Sequence, residues 1–173
     1  MINIKTKFFG EIDIDEEQII FFPFGLFGFE EYNRFILLHD KDDEESIFRW
    51  LQCLDDETLC FTVMEPDFIC EDYSPKLPEN ILVKIGVNNI NGANSSNNSE
   101  DLIYLIIAVI YEEITKSTAN LLGPVVINSK NRMAMQVILE SGEAQNSSYK
   151  TKHRLFDGKT DSTQKEGSVV ECS

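Results

Sequence analysis

Apolar residues in this chain come in short bursts, and that spacing limits the fold more than any other feature. The segments INIKTKFF, EIDID, RFILLH, FRWLQC, LCFTVME, LIYLIIAVIYEE, NLLGPVVIN and MAMQVILE are separated by clusters rich in Gly, Pro, Asp and Asn. Most of them are too short for helices, and several alternate apolar with polar residues, the period of a half-buried strand. Ile2, Ile4, Thr6 and Phe8 alternate with Asn3, Lys5 and Lys7, and after Gly10-Glu11 the residues Ile12 and Ile14 resume the pattern, which predicts a β-hairpin. DEEQII predicts one helical turn capped by Asp15, ended by FFPFG. LIYLIIAVIY is too apolar for a sheet edge and is expected in the middle of one. ILVKIGV fits a strand or a short buried helix equally well. No repeat of fixed period is present. Many short strands joined by turns predict a mostly β chain, a small antiparallel β-barrel-like domain with irregular loops, because near-closure removes the open edges of such a sheet.

Three stretches fall outside this pattern. PDFICEDYSPKLPEN, with three prolines, reads as an irregular surface crossing. NNINGANSSNNSE offers nothing to bury, so 88–99 is expected to be a mobile, dispensable loop. The same holds for the tail after Leu155, so the expected folded domain is 1–155 and the expected disordered tail 156–173. Phe48 and Trp50 share a strand face, and the single Trp is expected to be buried.

Charge narrows the function. Of 15 basic and 30 acidic residues, 5 and 19 lie in 1–72, a local net of −14. Such a surface repels phosphates, which argues against direct nucleic-acid binding, and it attracts basic partners. The longest apolar run, Leu102 to Tyr111, is about half of what a membrane helix needs. The first residues lack the layout of a signal peptide, so a cytoplasmic, soluble chain with no membrane association is expected. Cys53, Cys60, Cys70 and Cys172 form no C-x-x-C pair, and His39 and His153 lie far from any of them. Metal-site spacing is absent, and reduced, buried thiols are expected.

No residue set has the pattern of a catalytic centre, and no cofactor is indicated. The carboxylates run together as in solvated loops, and FGLFGFE lacks both phosphate-loop spacing and a following Lys. Its glycines are expected to serve backbone conformation. Phe29 and Phe35 are expected in the core, whereas Phe24 and Phe27, in the loop itself, are candidate partner-facing residues. The acidic candidates are Asp40, Asp42, Asp43, Glu44 and Glu45 in one loop and Asp55, Asp56 and Glu57 in another.

FFGEIDIDEEQIIFFPFGLFGFEEYNRFILL, FRWLQCLDDETLCFTVMEPDFICEDY, TANLLGPVVINSKNRMAMQVILE and SSYKTKHRL, in that order, resemble the FliW family over about 150 residues. Departures include Cys53, Glu57, Gly123 and Ala134, the last standing where a glycine is usual. The resemblance implies a small β-barrel-like fold and no enzymatic activity. It implies two partners, flagellin and the RNA-binding translational repressor CsrA. Held by a FliW protein, CsrA releases flagellin mRNA, and flagellin competes for the same protein. The alternative is a flagellin export chaperone without a translational role.

Overall fold

The structure, a computed structural model, describes residues 1–40, 42–43, 45–87, 101–140, 149 and 152–156. The Asn/Ser-rich stretch expected to be a mobile loop lies outside them, as does nearly all of the expected tail.

The first two strands, β1 (Ile2–Thr6) and β2 (Gly10–Ile14), form the expected hairpin, with Ile4 opposite Ile12. The turn is Lys7-Phe8-Phe9 rather than Gly10-Glu11. Thr6 Oγ1 donates to Gly10 O at 2.9 Å and accepts from Phe9 N–H at 2.9 Å. Asp15 then caps a single 3-10 turn, Glu16–Gln18, through the capping box visible in DEEQ.

The remaining strands are β3 (Ile20–Phe21), β4 (Arg34–Leu38), β5 (Phe48–Cys53), β6 (Cys60–Met64), β7 (Leu102–Val109), β8 (Thr118–Ala119), β9 (Val125–Asn128), β10 (Ala134–Gln136) and β11 (His153–Arg154). They make one sheet in the order β10-β9-β7-β6-β5-β4-β3. The last pair, β8 and β11, extends from the far end of β7. Every named pairing is antiparallel. The two ends of this path meet at a single parallel bridge, Phe21 with Met133, where Phe21 N–H donates to Arg132 O at 2.9 Å. The mostly β expectation is met, but among the described residues no ladder closes the barrel: β3 is two residues long and meets the β10 side only at that bridge.

Curling gives the sheet an inner and an outer face, and the sequence alternates accordingly. Phe35, Leu51, Cys53, Val63, Leu105, Val125 and Ile127 point inward and pack with Phe22 and Leu26 in a first core. On the outside, Ile4 and Ile14 of the hairpin cover Ile36 of β4. A third core forms where Ile106 and Ala108 of β7 and Val126 of β9 meet Cys70, Tyr73, Leu77, Leu82 and Ile85. Through its middle β7 thus meets a core on each face, Leu105 on one and Ile106 and Ala108 on the other, which explains why LIYLIIAVIY shows no alternation.

The third core corrects the reading of PDFICEDYSPKLPEN. The segment is irregular, but it is no surface crossing: Pro66, Cys70, Tyr73, Pro75 and Leu77 are buried. Tyr73 donates to Leu121 O at 2.6 Å and stacks on Tyr149, whose hydroxyl accepts from Ser74 N–H at 3.1 Å. Burial pushes the Tyr73 phenol far above its ordinary range. ILVKIGV resolves as the helix α1 (Glu79–Lys84).

Trp50 is also corrected. It lies on the outer face, half-buried, edge-on to Phe9 with ring centroids 5.3 Å apart. The inner face of β5 carries Leu51 and Cys53 instead. Phe9→Ala is therefore expected to red-shift Trp50 emission toward that of a solvated indole while leaving the far-UV circular dichroism unchanged. An unaltered emission maximum would mean that Phe9 does not shield the indole.

Candidate functional site

The segment joining β3 to β4 is built on three inward anchors. Phe22 and Leu26 are buried, and Phe29 packs edge-on against Phe61 at 5.2 Å. Phe22 N–H donates to Asn33 O at 2.8 Å, and Asn33 Nδ2 donates to Phe22 O at 2.9 Å, so the base of the loop is pinned twice. Between the anchors, Gly25 at φ 63° and Gly28 at φ 82° take the left-handed conformation that glycine tolerates best. Gly25 N–H bonds Phe22 O, Phe29 N–H bonds Leu26 O, and Gly28 N–H bonds the Glu30 carboxylate. These turns leave Phe24 and Phe27 pointing out, each 51% exposed. Both candidates are thus exposed, while Phe35 sits fully in the core, as expected, with Phe29 packed beside it.

What the sequence did not reveal is what stands beside these two rings. Lys84 of α1 places its ammonium 5.2 Å from the Phe24 ring centroid, a cation–π contact. Phe27 N–H donates to the Gln136 side chain at 3.1 Å. Beside Phe27 runs a groove lined by Phe27, Pro78 and Ile81 together with Met135, Gln136 and Ile138. Ile138 is 65% exposed, unusual for an isoleucine next to the buried Val137 and Leu139.

A helix as short as α1 needs tertiary support. Asn128 Nδ2 and Asn131 Nδ2 both donate to Ile85 O, at 3.0 and 3.1 Å, tying the end of α1 to the β9–β10 turn. That turn holds Arg132 at φ 59°, with its N–H on Asn128 O. The unusual backbone therefore lies at Arg132, and Ala134 is an ordinary buried strand residue.

The acidic candidates do not form one patch. Asp55, Asp56 and Glu57 lie between β5 and β6, at the same end of the sheet as the Phe24–Phe27 loop. Asp55 pairs with Arg34. Asp56 accepts from Thr58 Oγ1 at 2.7 Å and Thr58 N–H at 2.8 Å, and these bonds hold its carboxyl below the usual carboxylate range. Asp40, Asp42, Asp43 and Glu45 lie between β4 and β5, at the opposite end of β5, whose six residues separate the loops by about 20 Å. Asp42, Asp43 and Glu45 are exposed, and Asp40 is half-buried and accepts from Asp42 N–H at 2.9 Å. Glu44 lies outside the described residues.

Among the described residues no group of three His, Cys, Asp or Glu side chains is placed to hold a metal, and no helix is long and apolar enough to cross a membrane. Cys53 is buried and Cys60 half-buried, with burial pushing the Cys60 thiol up to about 11.

This curled sheet with its covering hairpin is the fold of flagellar assembly factors. A crystal structure of the flagellar assembly factor FliW superposes with a TM-score of 0.73 at 35% identity, covering 91% of this chain and 99% of that one. The flagellar assembly factor FliW of Leptospira interrogans is 36% identical over 156 residues, 90% of this chain and 94% of the relative. That of Lachnoclostridium phytofermentans is 33% identical over 138 residues, 79% and 83% of the two chains. The family model described as FliW protein matches residues 3–155. The chain belongs to the FliW family, and its general role is in flagellar assembly.

Proposed function

We propose that this chain acts in the cytoplasm as a protein-binding assembly factor with no catalytic role, engaging flagellin and, alternately, CsrA. The observation that carries the reading is family membership over 3–155, joined to two outward phenylalanines on a rigidly pinned loop. Exposed aromatic side chains held in place lose little entropy on binding and are frequent anchors of protein interfaces. In this reading flagellin takes the apolar surface around Phe24 and Phe27. The acidic loops steer CsrA, and the two partners shift each other's free pools by mass action.

Purified chain mixed with flagellin and with CsrA, separately and together, tests this by size-exclusion chromatography. Two binary complexes, with flagellin displacing CsrA, are expected. A complex with flagellin alone would leave only an export chaperone, and no complex with either would sink the reading.

The placement of the acids sharpens the steering test. Asp55 and Asp56 already hold Arg34 and Thr58, so neutralising them disturbs the loop as well as its charge. Asp42, Asp43 and Glu45 are the cleaner set, since Asp40 itself accepts from Asp42 N–H. Changing them to Asn and Gln is expected to slow CsrA association several-fold at low salt with little change in stability, because exposed charges act mainly on encounter. The effect shrinks as salt rises, since screening at physiological strength reaches about 8 Å. Stopped-flow association at two salt concentrations reads it, and equal rates at low salt would remove this loop from the mechanism.

A further inference from the structure

The groove beside Phe27 has a main-chain side as well as an apolar one. Asn128 N–H donates to Met133 O, Val137 N–H to Pro124 O and Leu139 N–H to Leu122 O, each at 2.9 Å. The main-chain groups of Met133, Met135, Val137 and Leu139 therefore turn toward β9 and the chain preceding it. In an antiparallel ladder the intervening residues turn the other way, so the N–H and C=O of Gln136 and Ile138 face the groove. The strand β3 reaches β10 only at the Phe21–Met133 bridge. Past that point no hydrogen bond from the described residues meets these groups. An edge that the described residues leave open, beside α1 and the side chains lining the groove, has the form used for strand addition.

We propose that the outer edge of β10, from Gln136 to Ile138, receives an extended segment of a partner protein as an added antiparallel or parallel strand. The segment carries apolar residues at alternate positions and a basic residue at its flank. Its main chain pairs with Gln136 and Ile138, and its apolar side chains meet Phe27, Ile81 and Ile138. Basic flanks match the rim. Glu79 opens α1 beside Pro78, and the Glu30 carboxylate is fixed next to Phe27 by Gly28 N–H at 2.9 Å, a bond that holds its carboxyl below the usual carboxylate range. The proposal rests on the reading that this chain works by binding proteins, and it assigns a place and a mode to one such contact.

The test uses the full chain, 15N-labelled, and a synthetic peptide about ten residues long, a usual strand length at the upper end. The peptide alternates valine with threonine and has a lysine at each end. A second version is N-methylated through its centre, and a third has glutamates in place of the lysines. The first peptide is expected to shift the Gln136 and Ile138 amide resonances and to slow their hydrogen exchange about tenfold at saturation. The methylated peptide should do neither, and the glutamate peptide should bind more weakly. Ile138→Pro, which removes one donor, is expected to weaken the first peptide about tenfold, whereas Ile138→Ala keeps the N–H and weakens it less. Unchanged amides at both positions, equal effects of the first two peptides, or equal losses from the two substitutions would overturn strand addition. Equal binding of the lysine and glutamate peptides would overturn the basic flank. Because the probe is neither flagellin nor CsrA, failure of the parent chain to bind those proteins would sink the functional reading alone.

Discussion

Gly25→Ala is expected to destabilise the protein by roughly 2–4 kcal/mol, and it should also release Phe24 and Phe27 from their outward positions. Two costs combine. The residue sits at φ 63°, where a side chain crowds its own carbonyl. A Cβ there would also lie 2.5 Å from Phe29 O and 2.6 Å from Glu30 Cα, and both contacts are backbone that cannot swing aside. Relief requires the 22–33 loop to open, which breaks the Gly25–Phe22 and Phe29–Leu26 bonds. Gly28→Ala is the control: its φ is also positive, at 82°, but a Cβ would meet nothing within 4 Å. Thermal denaturation and flagellin affinity of the two variants decide the matter. If Gly25→Ala melts and binds like the parent, the pinned loop is not what presents the phenylalanines.

Gln52→Leu is expected to cost about 2–4 kcal/mol, a fall in Tm of roughly 5–15 °C for a chain of this size. Gln52 is 1% exposed on the outer face of β5, among the few buried polar side chains. Its Oε1 accepts from Lys7 N–H at 3.0 Å, and so fixes the β1–β2 turn to the sheet. Its Nε2 lies within 3.0–3.3 Å of the carbonyls of Cys53, Asp56, Glu57 and Leu59, and so gathers the β5–β6 loop. Leucine fills the volume but strands these groups without partners, and the unmet groups set the cost. Gln52→Glu separates the two halves of the role. It keeps the acceptor for Lys7 but turns a carboxylate toward four carbonyl oxygens, which raises its folded-state pKa above the unfolded value. The neutral form is then favoured on folding. The variant should be closest to the parent at low pH and lose stability as pH rises through the carboxylate range, reaching its full deficit at neutral pH. Chemical denaturation of both variants at acid and neutral pH measures this. A variant carrying leucine that unfolds with the parent would show that water satisfies the loop.

The hairpin, the Asp15-capped turn and the strands β4 to β7, β9 and β10 were legible because each is set by contacts close in sequence. Alternation, a capping side chain and turn residues act over a few positions, and there the local choice agrees with the global one. The short strands β3, β8 and β11 were not legible. A two-residue strand such as Thr118–Ala119 has no period to detect, and it exists because β7 and β11 pair with it from both sides. Trp50 misled for a related reason. The strand's two faces are both apolar enough to be inner, and only the position of the covering hairpin decides which one faces the core.

The same division runs through the candidate site. The sequence placed Phe24 and Phe27 in a glycine-rich loop and made them candidates, but their outward direction comes from the turns at Gly25 and Gly28, whose geometry depends on the buried anchors Phe22, Leu26 and Phe29. The acidic candidates were legible as loops on either side of the strand FRWLQC, which by itself sets them at opposite ends of that strand. What strand pairing decided is which of the two shares an end of the sheet with the Phe24–Phe27 loop, since that depends on β4 and β5 running antiparallel. The groove was out of reach altogether. Its lining comes from residues 27, 78, 80–81 and 135–138, which are brought together by Asn128 and Asn131 holding α1 and by a sheet whose last gap the described residues leave open. By itself the sequence determined a β-rich chain, its turns, its acidic bias and its resemblance to one family, all carried by local pattern or ordered motifs. Only the tertiary structure decided which faces are covered, which acids lie beside the Phe24–Phe27 loop and which edge the described residues leave open. Those depend on contacts between distant segments, whose closure no local preference encodes.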